Sequence, residues 1–108
     1  MNEAPLPQAL RQDLRLYASG PGADGGPTWA IQDPVSNRFF RIGWLEYECL
    51  LRWPGKPDEI AADIEATTPL AVDAEQVADF ARFLDQHQLL VPYKYQYHLH
   101  PHYYKLVL

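Results

Sequence analysis

Polar and apolar positions change their spacing along this chain, and each change marks an element. Leu14, Leu16 and Ala18 alternate with Asp13, Arg15 and Tyr17, the period of a short strand. Ser19-Gly20-Pro21-Gly22-Ala23-Asp24-Gly25-Gly26-Pro27 follows and cannot hold a regular ladder, so it predicts a flexible loop. Thr28–Gln32 and Arg38–Ile42 are rich in strand formers, and Asp33-Pro34-Val35-Ser36-Asn37 between them reads as a turn. Together they predict a hairpin with a five-residue tip.

The period then lengthens. From Trp44 to Trp53 apolar residues lie on nearly every side, as in a helix covered by several neighbours. Pro54-Gly55 stops it. Pro57, Asp58 and Glu59 suit the first turn of a second helix, whose apolar stripe is Ile60, Ala61 and Ile64. Asp73 and Gln76 have the spacing of a capping box. Val77, Phe80, Ala81 and Leu84 follow at i, i+3, i+4 and i+7, a third helix. Leu89-Leu90-Val91 closes the pattern as a short apolar strand.

The expected fold class is therefore α+β, with three short N-terminal strands, three helices and a short final strand. The expected organisation is a flexible arm over 1–12, one domain over 13–91, and a separate tail over 92–108. There is no internal repeat. The 108 residues suit one modest core, and 47% apolar with 21% charged residues suits a folded protein. The lone Cys49 excludes an internal disulfide and a cysteine metal cluster. No apolar run nears the roughly 20 residues of a membrane span, and no secretory signal opens the chain.

The net charge of −5 is unevenly placed. Residues 37–56 carry Arg38, Arg41, Arg52 and Lys56 against Glu46 and Glu48. Residues 57–88 carry eight acids against Arg82 alone. The tail adds Lys94 and Lys105. Acidity gathers on the helical half, which bears on the choice of partner.

Several stretches resemble the PqqD-like winged helix-turn-helix domain, the peptide recognition element of ribosomal-peptide pathways. They are Trp29-Ala30-Ile31-Gln32-Asp33-Pro34, Asn37-Arg38-Phe39-Phe40-Arg41-Ile42-Gly43, Glu46-Tyr47-Glu48, and the run from Val72-Asp73-Ala74-Glu75 to Phe83-Leu84. They look most like the version fused in front of site-2-protease-like membrane zinc metalloproteases and secretion adaptors. The resemblance implies a winged helix, its short wing strand at Leu89–Val91, and a non-catalytic peptide- or protein-docking unit. It implies a place in the cytoplasm, at the inner face of a membrane, and a membrane protein of the same system as partner. The protease's His-Glu-x-x-His helix is missing, so no protease activity carries over.

The resemblance also implies binding by strand addition, with the third strand as the edge and the third helix as the second wall. Carried over, the edge is Arg38, Phe39, Phe40, Arg41 and Ile42. The helix face is Val77, Phe80, Ala81 and Leu84, with Phe83 as an alternative to Phe80. Arg38 and Arg41 would meet an acid on the ligand, and Asp79 or Asp85 a base. Residue by residue, plainer roles compete. Phe80 lies mid-stripe, where core is the ordinary role. Arginines on an edge strand commonly stay solvated and deter aggregation. Phe39 and Phe40 fall on opposite faces of their strand, so one of them points away from the helices.

The tail alternates again. Tyr93, Tyr95, Tyr97 and Leu99 fall on one side, and Lys94, Gln96, His98, His100 and His102 on the other. It reads as a strand, paired with its own sheet, filling the groove or swapped into a dimer, or as the lead-in to a membrane helix. His98, His100 and His102 are candidate metal ligands. With no fourth donor or acid nearby, no metal and no cofactor are expected.

Three rival functions remain. A winged helix is often a DNA reader, but Glu75, Asp79 and Asp85 against Arg82 would repel phosphates, so no nucleic-acid partner is expected. An enzyme would need a nucleophile with its base. Ser19 and Ser36 sit in predicted loops and Cys49 in an apolar helix. A structural docking domain of a membrane transporter or protease would use the same edge and groove as a peptide binder.

Overall fold

In the computed structural model the described residues are 8–91, and the tail with His98, His100 and His102 lies outside them. The fold is α+β, a three-stranded antiparallel sheet with three helices. The strands are β1 (Arg15–Ser19), β2 (Thr28–Asp33) and β3 (Arg38–Ile42), in the order β1-β2-β3. The helices are α1 (Trp44–Leu51), α2 (Pro57–Thr67) and α3 (Ala74–Gln86). These six elements match those the spacing predicts, while the expected final strand at Leu89–Val91 is present only as an isolated bridge at Leu90.

Register decides which side chains meet the helices. Ile31 pairs with Phe40 and Trp29 with Ile42, while Gln32 pairs with Phe39 and Ala30 with Arg41. Because side chains alternate along a strand, the first set shares the core face and the second faces away. Ile31 and Ile42 are accordingly buried and Phe40 half-buried, whereas Phe39 is 60% exposed. The core gathers Ile31, Ile42, Cys49, Ile60, Ile64, Val77, Leu84 and Leu89 with their neighbours. On its sheet side Trp29 stacks on Tyr47 of α1 at 3.8 Å between ring centres.

Helix ends follow local chemistry. Pro57 stands in the first turn of α2, where its missing N–H costs no hydrogen bond. At α3 the Gln76 amide donates to Asp73 Oδ1 at 2.9 Å, and the Asp73 amide donates to Gln76 Oε1 at 2.9 Å. Asp73→Ala removes one half of this exchange. It is expected to lower stability by about 1 kcal/mol in urea denaturation, with Asp73→Ser recovering most of the loss. At the other end Gln88 takes a φ of 61°, its amide donates to Asp85 O, and the Leu89 amide donates to Leu84 O. This αL turn satisfies the last carbonyls of α3 and sends Leu89–Val91 back into the core.

That return path corrects the reading of 1–12 as one loose arm. Residues 8–11 are docked. Leu10 bridges antiparallel to Leu90, the Arg11 amide donates to Leu89 O, and the Val91 amide donates to Ala9 O. Trp53 Nε1 donates to Gln8 O at 2.9 Å. Arg11 grips Asp33, with Nη2 2.8 Å from Oδ1 and Nη1 3.1 Å from Oδ2. These partners lie far along the chain, so nothing in the local spacing of 8–12 announces them.

Candidate functional site

Asp33 sits where three segments converge. It is 2% exposed, and besides Arg11 it accepts the amides of Val35 and Ser36 in the hairpin turn. The hydrogen bond from Arg11 holds its carboxyl well below the usual carboxylate range, against burial that pushes the other way. Arg38 Nη2 stands 3.6 Å from Asp33 Oδ2 and donates to His87 O at the end of α3. The guanidinium also lies over the Phe40 ring, 5.1 Å from its centre. Arg38 is thus a tie from β3 to α3 in addition to any part it plays toward a ligand.

Arg41 is engaged as well. Its Nε donates to Thr28 Oγ1, and its Nη2 donates to Gly20 O at 3.1 Å and Pro21 O at 3.3 Å. It clamps the glycine-rich loop against the sheet. Within that loop Gly25 adopts φ 84°, a conformation suited to glycine, and its amide donates to Gly22 O.

Between β3, the start of α1 and α3 lies a cleft of about 420 Å³. Ile42, Leu45, Phe80 and Phe83 supply its apolar lining, and Arg41, Glu46, Gln76 and Asp79 its polar lining. The aromatic side is built as a unit. Phe40 meets Phe83 edge-to-face at 5.7 Å, Phe83 stacks near-parallel on Phe80 at 5.9 Å, and Trp53 meets Phe80 edge-on at 6.2 Å. Such contacts add to area burial and fix ring orientation. Glu46 Oε1 accepts the Gly43 amide at 3.0 Å, holding the start of α1. Asp79 pairs with Arg82 on the exposed side of α3.

The residues singled out from sequence divide three ways. Arg41, Ile42 and Phe80 line the cleft. Phe39 faces away from the core, and Phe40 braces Phe83 from beneath. Val77 and Leu84 are fully buried, so they hold α3 to the core and present no surface to a ligand; Ala81 is half-buried and outside the cleft lining. The helix face bordering the cleft is Gln76, Asp79, Phe80 and Phe83, turned from the expected Val77-Ala81-Leu84 face. The hydrophobic stripe gave the core side, and the cleft lies along the margin of that stripe. Leu45, Glu46 and Gln76 went unnoticed as lining residues because each already had a helical or capping role.

The groups whose ionisation is clearly displaced lie elsewhere. Glu48 is lowered by its hydrogen bond from Arg52, which is raised in return. Burial pushes the Cys49 thiol up to about 11, so it stays protonated near neutrality and is a poor nucleophile. Among the described residues no group of three or more His, Cys, Asp and Glu side chains is placed to hold a metal ion. Among them, no helix is long and apolar enough to cross a membrane.

No protein-family model matches the chain, and neither a curated protein nor a solved structure matches it.

Proposed function

We propose that this chain is a winged-helix domain of the PqqD-like kind, a non-catalytic module that binds an extended peptide by adding it to β3. The observation that carries the reading is the cleft between β3 and α3, beside a strand with one paired neighbour. β3 pairs with β2 on one side only, and among the described residues no strand covers its other side. An added strand draws affinity from that main chain and selectivity from adjoining side-chain pockets. Ile42, Leu45, Phe80 and Phe83 offer one apolar pocket beside the strand, and Glu46 and Asp79 stand by it. The peptide best suited therefore carries a large apolar side chain flanked by a basic one. A peptide segment of a membrane protein in a secretion, modification or protease system is the partner class that the resemblance implies.

DNA reading is the weaker alternative. α3 exposes Glu75, Asp79 and Asp85, and Arg82 is already paired with Asp79. A face of that sign repels a phosphate backbone. Docking of a folded partner subunit would use the same edge.

The test is selection of linear peptides from a random displayed library on the full chain, followed by amide chemical-shift titration with the enriched peptide. Shifts are expected at 38–46 and 76–83, together with slowed exchange of β3 amides. Shifts confined to the glycine-rich loop at 20–27, or salt-sensitive binding of random duplex DNA in place of peptide, would overturn the proposal.

A further inference from the structure

The chain carries a segment with the chemistry its own cleft selects. We infer that residues 92–108 dock in the cleft between β3 and α3 of the same molecule and compete there with an external peptide. This rests on the peptide-binding reading above and names the occupant of that site when no external peptide is bound.

Charge, pattern and reach support it. The segment holds Lys94 and Lys105 and not one Asp or Glu, whereas residues 57–88 hold eight acids against one arginine. The cleft itself carries Glu46 and Asp79 against Arg41, and α3, its wall, exposes Glu75, Asp79 and Asp85 against Arg82. Opposite charge on strand and groove sets register and suppresses wrong partners. Tyr93, Tyr95 and Tyr97 alternate with Lys94, Gln96 and His98. As an added strand the segment would turn its tyrosines to one side, toward Phe80 and Phe83, and its basic residues to the other. Seventeen extended residues reach about 56 Å, more than the longest principal-axis extent of 41 Å. The segment is therefore long enough to run across the width of the domain.

A second groove lies beside Leu10, the bridge partner of Leu90. It holds about 210 Å³ among Leu10, Leu14, Leu16 and Leu51, with Arg11 and Arg15 on its lining. Leu51 is 59% exposed there. Arg11 is already paired with Asp13 and Asp33, Arg15 adds a positive charge, and no acid lines the groove, so nothing there draws a segment bearing lysines.

The test places a nitroxide on Gln96→Cys in the full chain, the buried native Cys49 being closed to the label. Broadening is expected at the amides of Gly43, Leu45, Gln76 and Asp79. It should persist when labelled chains are diluted into an excess of unlabelled ones. Broadening at Leu14, Leu16 and Leu51, broadening that vanishes on dilution, or none at all would each overturn the inference. In parallel, Tyr93→Ser/Tyr95→Ser/Tyr97→Ser should tighten binding of the library-selected peptide by about tenfold, since a site freed of its competitor binds at full strength. An unchanged affinity with cleft shifts intact sinks the inference and spares the peptide-binding reading. Loss of both cleft broadening and cleft shifts sinks the two together.

Discussion

Replacing Leu84 with alanine is expected to destabilise the fold by about 3 kcal/mol, roughly a 15 °C fall in melting temperature for a domain of this size. Leu84 is fully buried on α3, and so is Ile64 of α2. Truncation there removes apolar burial and leaves a cavity that rigid neighbours fill only in part. Its carbonyl also accepts the Leu89 amide, so the residue stands where α3 turns back toward the N-terminal segment. Urea denaturation followed by circular dichroism measures the loss. A change under 1 kcal/mol would mean that Leu84 is surface rather than core, and would return it to the ligand-facing role that the resemblance implied.

Asp33→Ala is expected to cost about 2 kcal/mol, because it removes both charged hydrogen bonds from Arg11, leaving that guanidinium with Asp13, and frees two turn amides. The pH dependence gives a second readout. The folded-state pKa of Asp33 lies below its unfolded value of about 3.9, held down first by the Arg11 hydrogen bond. Its contribution is therefore present above the unfolded value and is lost as pH falls toward the folded one. The native chain should lose stability on acidification below about pH 4. Asp33→Asn should flatten that part of the profile. Equal acid slopes for the two would show that other carboxylates control the transition.

Much of the fold was legible because its determinants are local. Asp33-Pro34 and Asn37 mark the hairpin turn, and Asn37 adopts a φ of 57° there. Asp73 and Gln76 mark the start of α3, and both halves of their exchange are made. The opposite faces of Phe39 and Phe40 follow from strand geometry alone. What escaped is long-range. Arg11 finds Asp33 twenty-two residues on, and Arg38 finds the His87 carbonyl forty-nine residues on. No periodicity encodes such pairings. Gln88 lacks the glycine that usually announces an αL helix end, so the turn after α3 left no mark either. The cleft lies between β3 and α3, the two elements the resemblance names, together with the start of α1. The side of α3 that borders it depends on how the helix is rotated over the sheet, which packing decides.

The pairing of Leu10 with Leu90 has a mechanical consequence. The two runs are antiparallel, so the polypeptide enters and leaves the domain at neighbouring points. Were such a unit carried within a longer polypeptide, it would add almost nothing to the contour of that polypeptide. Tension applied through both ends would peel the few hydrogen bonds at that junction one after another instead of loading them all at once. The docked segment, and with it the anchor on Asp33, would be the first part to yield.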